Sequence, residues 1–195
     1  MTDIFSFDNT YTSKDISIIL RAMYFASHKH KNQRRKGEDQ EPYINHPVEV
    51  ANMLWHVGGV RDVNTIVAAI LHDTVEDTDT TIEEIEKNFG QIVARIVEQI
   101  TDDKTLPFKE RKQLQIDRAS TMLYEAKLIK LADKSSNVQS LIYSPPSWPK
   151  ITQINYCNQS KQVIDQIRGV NIELENKFDN VCDCFMQLIE NDNPE

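Results

Sequence analysis

The run HDTVEDTD, residues 72–79, sets one imidazole and four carboxylates, Asp73, Glu76, Asp77 and Asp79, at the end of an apolar segment. Carboxylates a few ångströms apart repel by about 1 kcal/mol per pair in water, and by more where water is scarce, so a compensating cation is implied. On a helix, His72 and Glu76 would share one side, as would Asp73 and Asp77, because each pair is four residues apart. The same spacing recurs at Asp133 and Asn137 in LADKSSN, behind the apolar KLIKLA, which predicts a buried helix whose carboxylate needs a partner. His46 stands just before Pro47, at a loop-to-helix junction from which a side chain can reach a cleft. Two imidazoles and two carboxylates without a thiolate (His46, His72, Asp73 and Asp133) suit a divalent ion with open positions for water. Manganese or iron is more natural there than a closed structural zinc. Taken singly, each is more simply a satisfied core histidine or a solvated acid; ligand-type residues from separated segments argue for a set.

Helices must position these groups. Apolar residues recur at three- and four-residue steps, strand-like alternation is scarce, and the spacing predicts seven or so helices. The first covers about Ile16 to His30 with Ile16, Ile19, Leu20, Met23 and Tyr24 on one face. A second begins near Pro47 and stops at Gly58-Gly59, and a third runs from about Val63 to Val75 with Val63, Ile66, Val67, Ile70 and Leu71 inward. Thr81-Ile82-Glu83-Glu84 has capping-box spacing and opens a short helix ending at Gly90. QIVARIVEQI, the segment after Pro107 and EAKLIKLADKSSNVQSL follow as helices. SPPSWP is a loop, and the tail from about Lys150 to Ile189 is helical with a break at Gly169. His28 and His30 read as surface residues, His56 as structural, and Trp55 and Trp148 as core.

At 195 residues, with 39% hydrophobic and 27% charged residues, the chain reads as a single globular domain, residues 1–195, with no repeat or linker. A formal charge of −8 argues against nucleic-acid or anionic-membrane partners. The local cluster Arg34-Arg35-Lys36, upstream of Tyr43 and His46, can still steer an anionic small molecule. The opening residues show no leader, no apolar run approaches a membrane span, and three cysteines in no metal or disulfide pattern suit a cytoplasmic protein. Nothing in the sequence sets an oligomeric state.

The order His46, His72-Asp73, Asp133 resembles the HD-domain phosphohydrolase pattern. The longer runs RRKGEDQEPYINHP, AAILHDTVEDTDTT, TDDKTLP and KLIKLADKSSNV are similar to the hydrolase domain of the RelA/SpoT family, above all its free-standing small alarmone hydrolases of the Mesh1 type. The likeness covers about residues 21–169. It implies an all-α HD-domain orthogonal helical bundle, with the motifs in about residues 16–169 and a C-terminal helix at about 170–190. It further implies a bound manganese ion, Mn2+, and removal of the 3′-pyrophosphate from ppGpp or pppGpp. Carried over by motif, His46, His72, Asp73 and Asp133 would ligate the metal, Glu76 and Asp77 would position and deprotonate a water, and Asn137 would contact the nucleotide. Arg34, Arg35, Lys36 and Tyr156 would complete the substrate side. Two departures bear on specificity: Phe108, with Lys109 after it, stands where relatives have lysine, and Thr152 stands four residues before Tyr156 where relatives commonly have arginine. A different HD-type nucleotide phosphohydrolase, such as one removing the 2′-phosphate of NADPH, and a nucleotide-binding module without turnover are the alternatives.

Overall fold

A computed structural model describes residues 11–191; the reading of residues 1–10 as free of a leader lies outside the described residues. The described chain is helical, with two isolated bridges, Arg34 to Pro42 and Gly37 to Pro146, and no strand. The helices are α1 (Ser13–Lys29), α2 (Asn45–His56), α3 (Val63–Leu71), α4 (Thr74–Asp77), α5 (Ile82–Phe89), α6 (Gln91–Ile100), α7 (Phe108–Ala119), α8 (Tyr124–Tyr143), α9 (Lys150–Asp165) and α10 (Ile172–Asn191).

Helix α8 is the axis of the bundle, packed against α2, α3, α6, α9 and α10. Its Leu128, Ile129, Leu131, Ala132, Val138 and Leu141 are buried, and so are Lys130, Asp133, Lys134, Ser135 and Ser136. Polar groups thus ride on an apolar core helix, as the KLIKLADKSS run leads one to expect. Phe178 and Phe185 of α10 close the far side without solvent contact, each stabilising the fold by roughly 2–3 kcal/mol through burial. Thr81 caps α5 by accepting from the Glu84 backbone N–H. Gly169, at φ 85°, makes the α9–α10 turn in a conformation that side chains disfavour.

Two expectations are corrected. The α1 stripe is split: Ile16, Leu20, Met23 and Tyr24 are exposed, whereas Ile19 packs against the core with Ile18 and Phe25, and Ala22 and Ala26 are fully buried. Ala22 and Ala26 permit close approach of α1 to the core, and Ile16, Leu20, Met23 and Tyr24 are left on the surface. The third helix also does not continue to Val75. It ends at Leu71, Asp73 adopts φ −96° and ψ −4°, and a separate turn, α4, carries Glu76 and Asp77. The break falls on the two motif residues, His72 and Asp73, and frees both side chains from a common helical face.

Candidate active site

His46 enters from the first turn of α2, His72 from the end of α3, Asp73 from the break and Asp133 from mid-α8. Nε2 of His46 lies 3.2 Å from Asp133 Oδ1 and 3.6 Å from Asp73 Oδ2. Nε2 of His72 lies 3.1 Å from Asp73 Oδ2 and 3.7 Å from Asp133 Oδ1. Ligand atoms of His46, His72 and Asp133 all fall within 4.8 Å of one another. The Tyr43 hydroxyl donates to Asp73 Oδ2 at 2.6 Å and holds that carboxylate in place.

This donor set fits a metal ion. His72 Nδ1 lies 2.7 Å from the Ala69 carbonyl, which can only accept, so Nδ1 carries the proton of the neutral ring. Its buried Nε2 has no hydrogen-bond partner and points a lone pair at anionic oxygens. Such an arrangement requires a cation, either a proton or a metal. Without a metal the site charges itself: burial opposes protonation of His72, but Asp73 and Asp133 outweigh it and raise its pKa to about 10. Burial also opposes ionisation of Asp73 and Asp133, yet the histidines hold both carboxyls below their ordinary range. His46 is shifted downward by burial.

A pH signature follows for the metal-free protein. His72, raised from 6.5 to about 10, contributes stability that is complete below pH 6.5 and lost as pH rises toward 10. The lowered carboxyls contribute above their ordinary pKa of 3.8 and lose that contribution in acid. Thermal unfolding of chelated protein is expected to show Tm falling between pH 6.5 and 10, while the metal-loaded protein keeps its Tm over this interval. Parallel profiles for the two forms would contradict the assignment of that charge to the metal site.

Of the four clustered carboxylates, Asp79 turns away to pair with Lys29 on the surface, at 3.1 Å. Glu76 and Asp77 stay. Glu76 accepts from the Asp102 backbone N–H at 3.1 Å, and burial, followed by the Asp102 carboxylate, raises its pKa. Asp77 is gripped from two sides, by Gln33 Nε2 at 2.7 Å and Lys104 Nζ at 2.5 Å. Gln33 in turn meets the ring of His30 at 2.7 Å. His30 is buried, contrary to its reading as a surface residue, and His56 is exposed rather than structural.

His46, His72, Asp73, Asp133, Glu76, Asp77, Gln33 and Lys104 line one cavity of about 850 Å³, a size suited to a small ligand. Arg34, Arg35, Lys36, Asn137 and Tyr156 border it. Arg35 donates to Asn137 Oδ1 at 3.1 Å, and Asn137 donates to Asp133 Oδ1 at 2.6 Å, which ties the basic loop to the acidic floor. That loop lies hard against the end of α8: a Cβ on Gly37 would sit 2.3 Å from the Ser144 backbone oxygen, so only glycine fits. Trp148 packs against the core and also lines the cavity, with Lys36 Nζ 5.8 Å from its ring centre. Phe108 also lines the cavity, whereas Thr152 is exposed and does not.

A second basic wall was not legible in the motifs. Lys104, Arg111, Lys112, Lys130 and Lys134 approach from the α6–α7 loop, α7 and α8. Lys130 and Lys134 are buried, and their nearest hydrogen-bond acceptors are neutral, the Ile100 carbonyl at 3.4 Å and Gln115 Oε1 at 3.5 Å. Burial first, then Lys134, lowers the Lys112 pKa to about 8. Buried lysines with no ion pair among the described residues are the feature that would have found this wall, but in sequence they read as solvated helix charges.

Comparison with known proteins agrees with this geometry. A family model described as HD domain matches residues 22–155. Guanosine-3′,5′-bis(diphosphate) 3′-pyrophosphohydrolase MESH1 of Xenopus tropicalis is 49% identical over 170 residues, covering 87% of this chain and 95% of that protein. The protein of that name from Homo sapiens is 48% identical over 158 residues, covering 80% and 88%. A solved structure of a metazoan ortholog of SpoT that hydrolyzes ppGpp superposes with a TM-score of 0.84 at 40% identity, covering 88% of this chain and 96% of that one. With motif, donor set and fold in agreement, the chain belongs to the HD-domain family, in its RelA/SpoT branch and among the Mesh1-type members.

Proposed function

We propose that this chain hydrolyses ppGpp and pppGpp to GDP and GTP, releasing pyrophosphate, with manganese held by His46, His72, Asp73 and Asp133. The observation that carries the reading is the cavity itself: a nitrogen-and-oxygen donor set on its floor, two carboxylates beside it and basic walls on both sides. A nucleotide with separate 3′- and 5′-diphosphates has an anionic group for each wall. The unpaired cysteines support the cytoplasm as the place of action. We assign the whole of residues 1–195 to one hydrolase domain.

When bound, the divalent ion lowers the pKa of water at the site and offsets charge on the phosphoryl group. Glu76, its pKa raised by burial and Asp102, accepts the water's proton. Asp77, fixed by Gln33 and Lys104, orients the same water. The reaction forms a bond from water oxygen to the phosphorus next to the ribose 3′-oxygen and breaks the bond from that phosphorus to O3′. The proton ends on O3′, and pyrophosphate leaves whole. Asn137 and Tyr156 border the nucleoside, and Arg34, Arg35 and Lys36 face one diphosphate.

Chromatography of products from ppGpp and manganese tests this reading. GDP and pyrophosphate are expected, with little early orthophosphate. Early orthophosphate, or faster turnover of NADPH to NADH, would point to a phosphatase; tight binding without product would point to a regulatory module.

The second wall has its own signature. With a pKa of about 8, Lys112 is cationic below that pH and neutral above it, so KM for ppGpp is expected to rise through pH 8 in the wild type. Lys112→Ala should raise KM at pH 7 and flatten the profile. A wild-type KM rising through pH 8 unchanged in the variant would remove Lys112 from phosphate binding.

A further inference from the structure

His46 does not stand alone on its Nδ1 side. Nδ1 lies 3.0 Å from Ser136 Oγ, and Ser136 Oγ lies 2.8 Å from Glu49 Oε2. Gln139 Nε2 donates to the other oxygen of Glu49 at 2.8 Å, and Lys177 of α10 donates to Gln139 Oε1 at 2.6 Å. His46 and Glu49 are three residues apart on α2, so both face the same point of α8, where Ser136 is fully buried.

Proton counting gives this chain a direction. A serine hydroxyl has one proton, and an ionised carboxylate can only accept. The Ser136 proton therefore goes to Glu49, Ser136 Oγ is left as an acceptor, and the hydrogen at its other contact must come from His46 Nδ1. The opposite order would leave Glu49 Oε2 facing an oxygen lone pair. Gln139, a donor to Glu49, makes the same demand on the carboxylate's second oxygen.

We infer that Ser136 and Glu49 are positioning residues: through a hydroxyl relay they keep the proton of His46 on Nδ1, so that Nε2 presents its lone pair to the metal. His72 reaches the same state through a backbone carbonyl, which no side-chain substitution can alter. His46 depends on side chains, so its tautomer can be changed by substitution. Partners of this kind beyond the ligands typically change metal affinity about 10–100-fold when removed. The inference rests on the proposed metal assignment for the role of Nε2, because without a metal Nε2 faces the Asp133 carboxylate at 3.2 Å and has an acceptor of its own; the relay from Glu49 through Ser136 to Nδ1 is a property of the chain.

The test uses the full-length protein. Proton–nitrogen correlation spectra of the metal-free protein above neutral pH report whether His46 Nδ1 is protonated, with assignment by His46→Gln. Manganese affinity is read by electron paramagnetic resonance. The wild type should carry the Nδ1 proton. Glu49→Gln has the same shape, but its amide oxygen would accept from Gln139 and its amide nitrogen would donate to Ser136. The relay then reverses, the Nδ1 proton is lost, and manganese affinity falls about tenfold or more. Ser136→Ala should weaken manganese to a similar extent, with the fold verified by circular dichroism. An unprotonated Nδ1 in the wild type, a retained Nδ1 proton in Glu49→Gln, or wild-type manganese affinity in both variants would overturn the inference. If the wild type binds no manganese, the metal assignment fails, and the tautomer is still decided by the spectra.

Discussion

Glu76→Gln is expected to lower kcat on ppGpp by a factor on the order of 100 or more while metal content stays at the wild-type level. The carboxylate sits beside the donor set without belonging to it, and it accepts a backbone hydrogen bond from Asp102. Its raised pKa gives it more proton affinity than an exposed glutamate has, and an amide of the same shape has almost none. Asp77→Asn should lose kcat on the same scale for a different reason. Its oxygens satisfy both Gln33 and Lys104, and an amide turns one donor–acceptor pair into a clash of donors. Steady-state kinetics with parallel elemental analysis decide the point. Loss of metal with activity would move these residues into the ligand set, and an undiminished kcat would remove them from the chemistry.

Asp133→Ala is expected to be more severe, because in the proposed mechanism it removes a ligand rather than a base. Asp133 Oδ1 is shared by His46 Nε2, His72 Nε2 and the Asn137 amide, so one truncation opens the floor of the site on three sides. Partners outside the ligand set commonly cost 10–100-fold in affinity, and loss of a ligand should exceed a factor of about 100. Manganese titration should show this weakening together with loss of ppGpp turnover. Retention of wild-type affinity would exclude Asp133 from the metal. Chelation of the wild type should reproduce the inactivity, and added manganese should reverse it.

How the sequence foretold the structure differs from element to element. Helix α8 could be read closely, since a long apolar run interrupted by Asp133 and Asn137 has few folds other than a core helix carrying a polar notch. The turns at Gly90 and Gly169 were legible because both adopt positive φ, where glycine is favoured. Helix α1 was legible only in part because periodicity gives a stripe without saying which side meets the core; Ala22 and Ala26, too small to dominate the pattern, make the contact together with Ile18, Ile19 and Phe25. The end of α3 at Leu71 was missed because nothing in LHDTVED breaks a helix by propensity, and the break is imposed by what His72 and Asp73 must reach. The motif residues stood out because their chemistry repeats across separated segments. Lys112, Lys130 and Lys134 were not, since a lysine's lack of a carboxylate partner is a property of three-dimensional surroundings. Glu49 and Ser136 escaped for the same reason, being ordinary residues made significant by contact with His46.

The central claim is that water attacks the phosphorus attached to the ribose 3′-oxygen. Hydrolysis of ppGpp with manganese in oxygen-18 water, followed by phosphorus NMR and mass spectrometry of the first turnovers, tests it most directly. The account predicts one labelled oxygen in pyrophosphate and none in GDP. Label in orthophosphate, with a guanosine product keeping one 3′-phosphate, would contradict it, as would label in the nucleoside product.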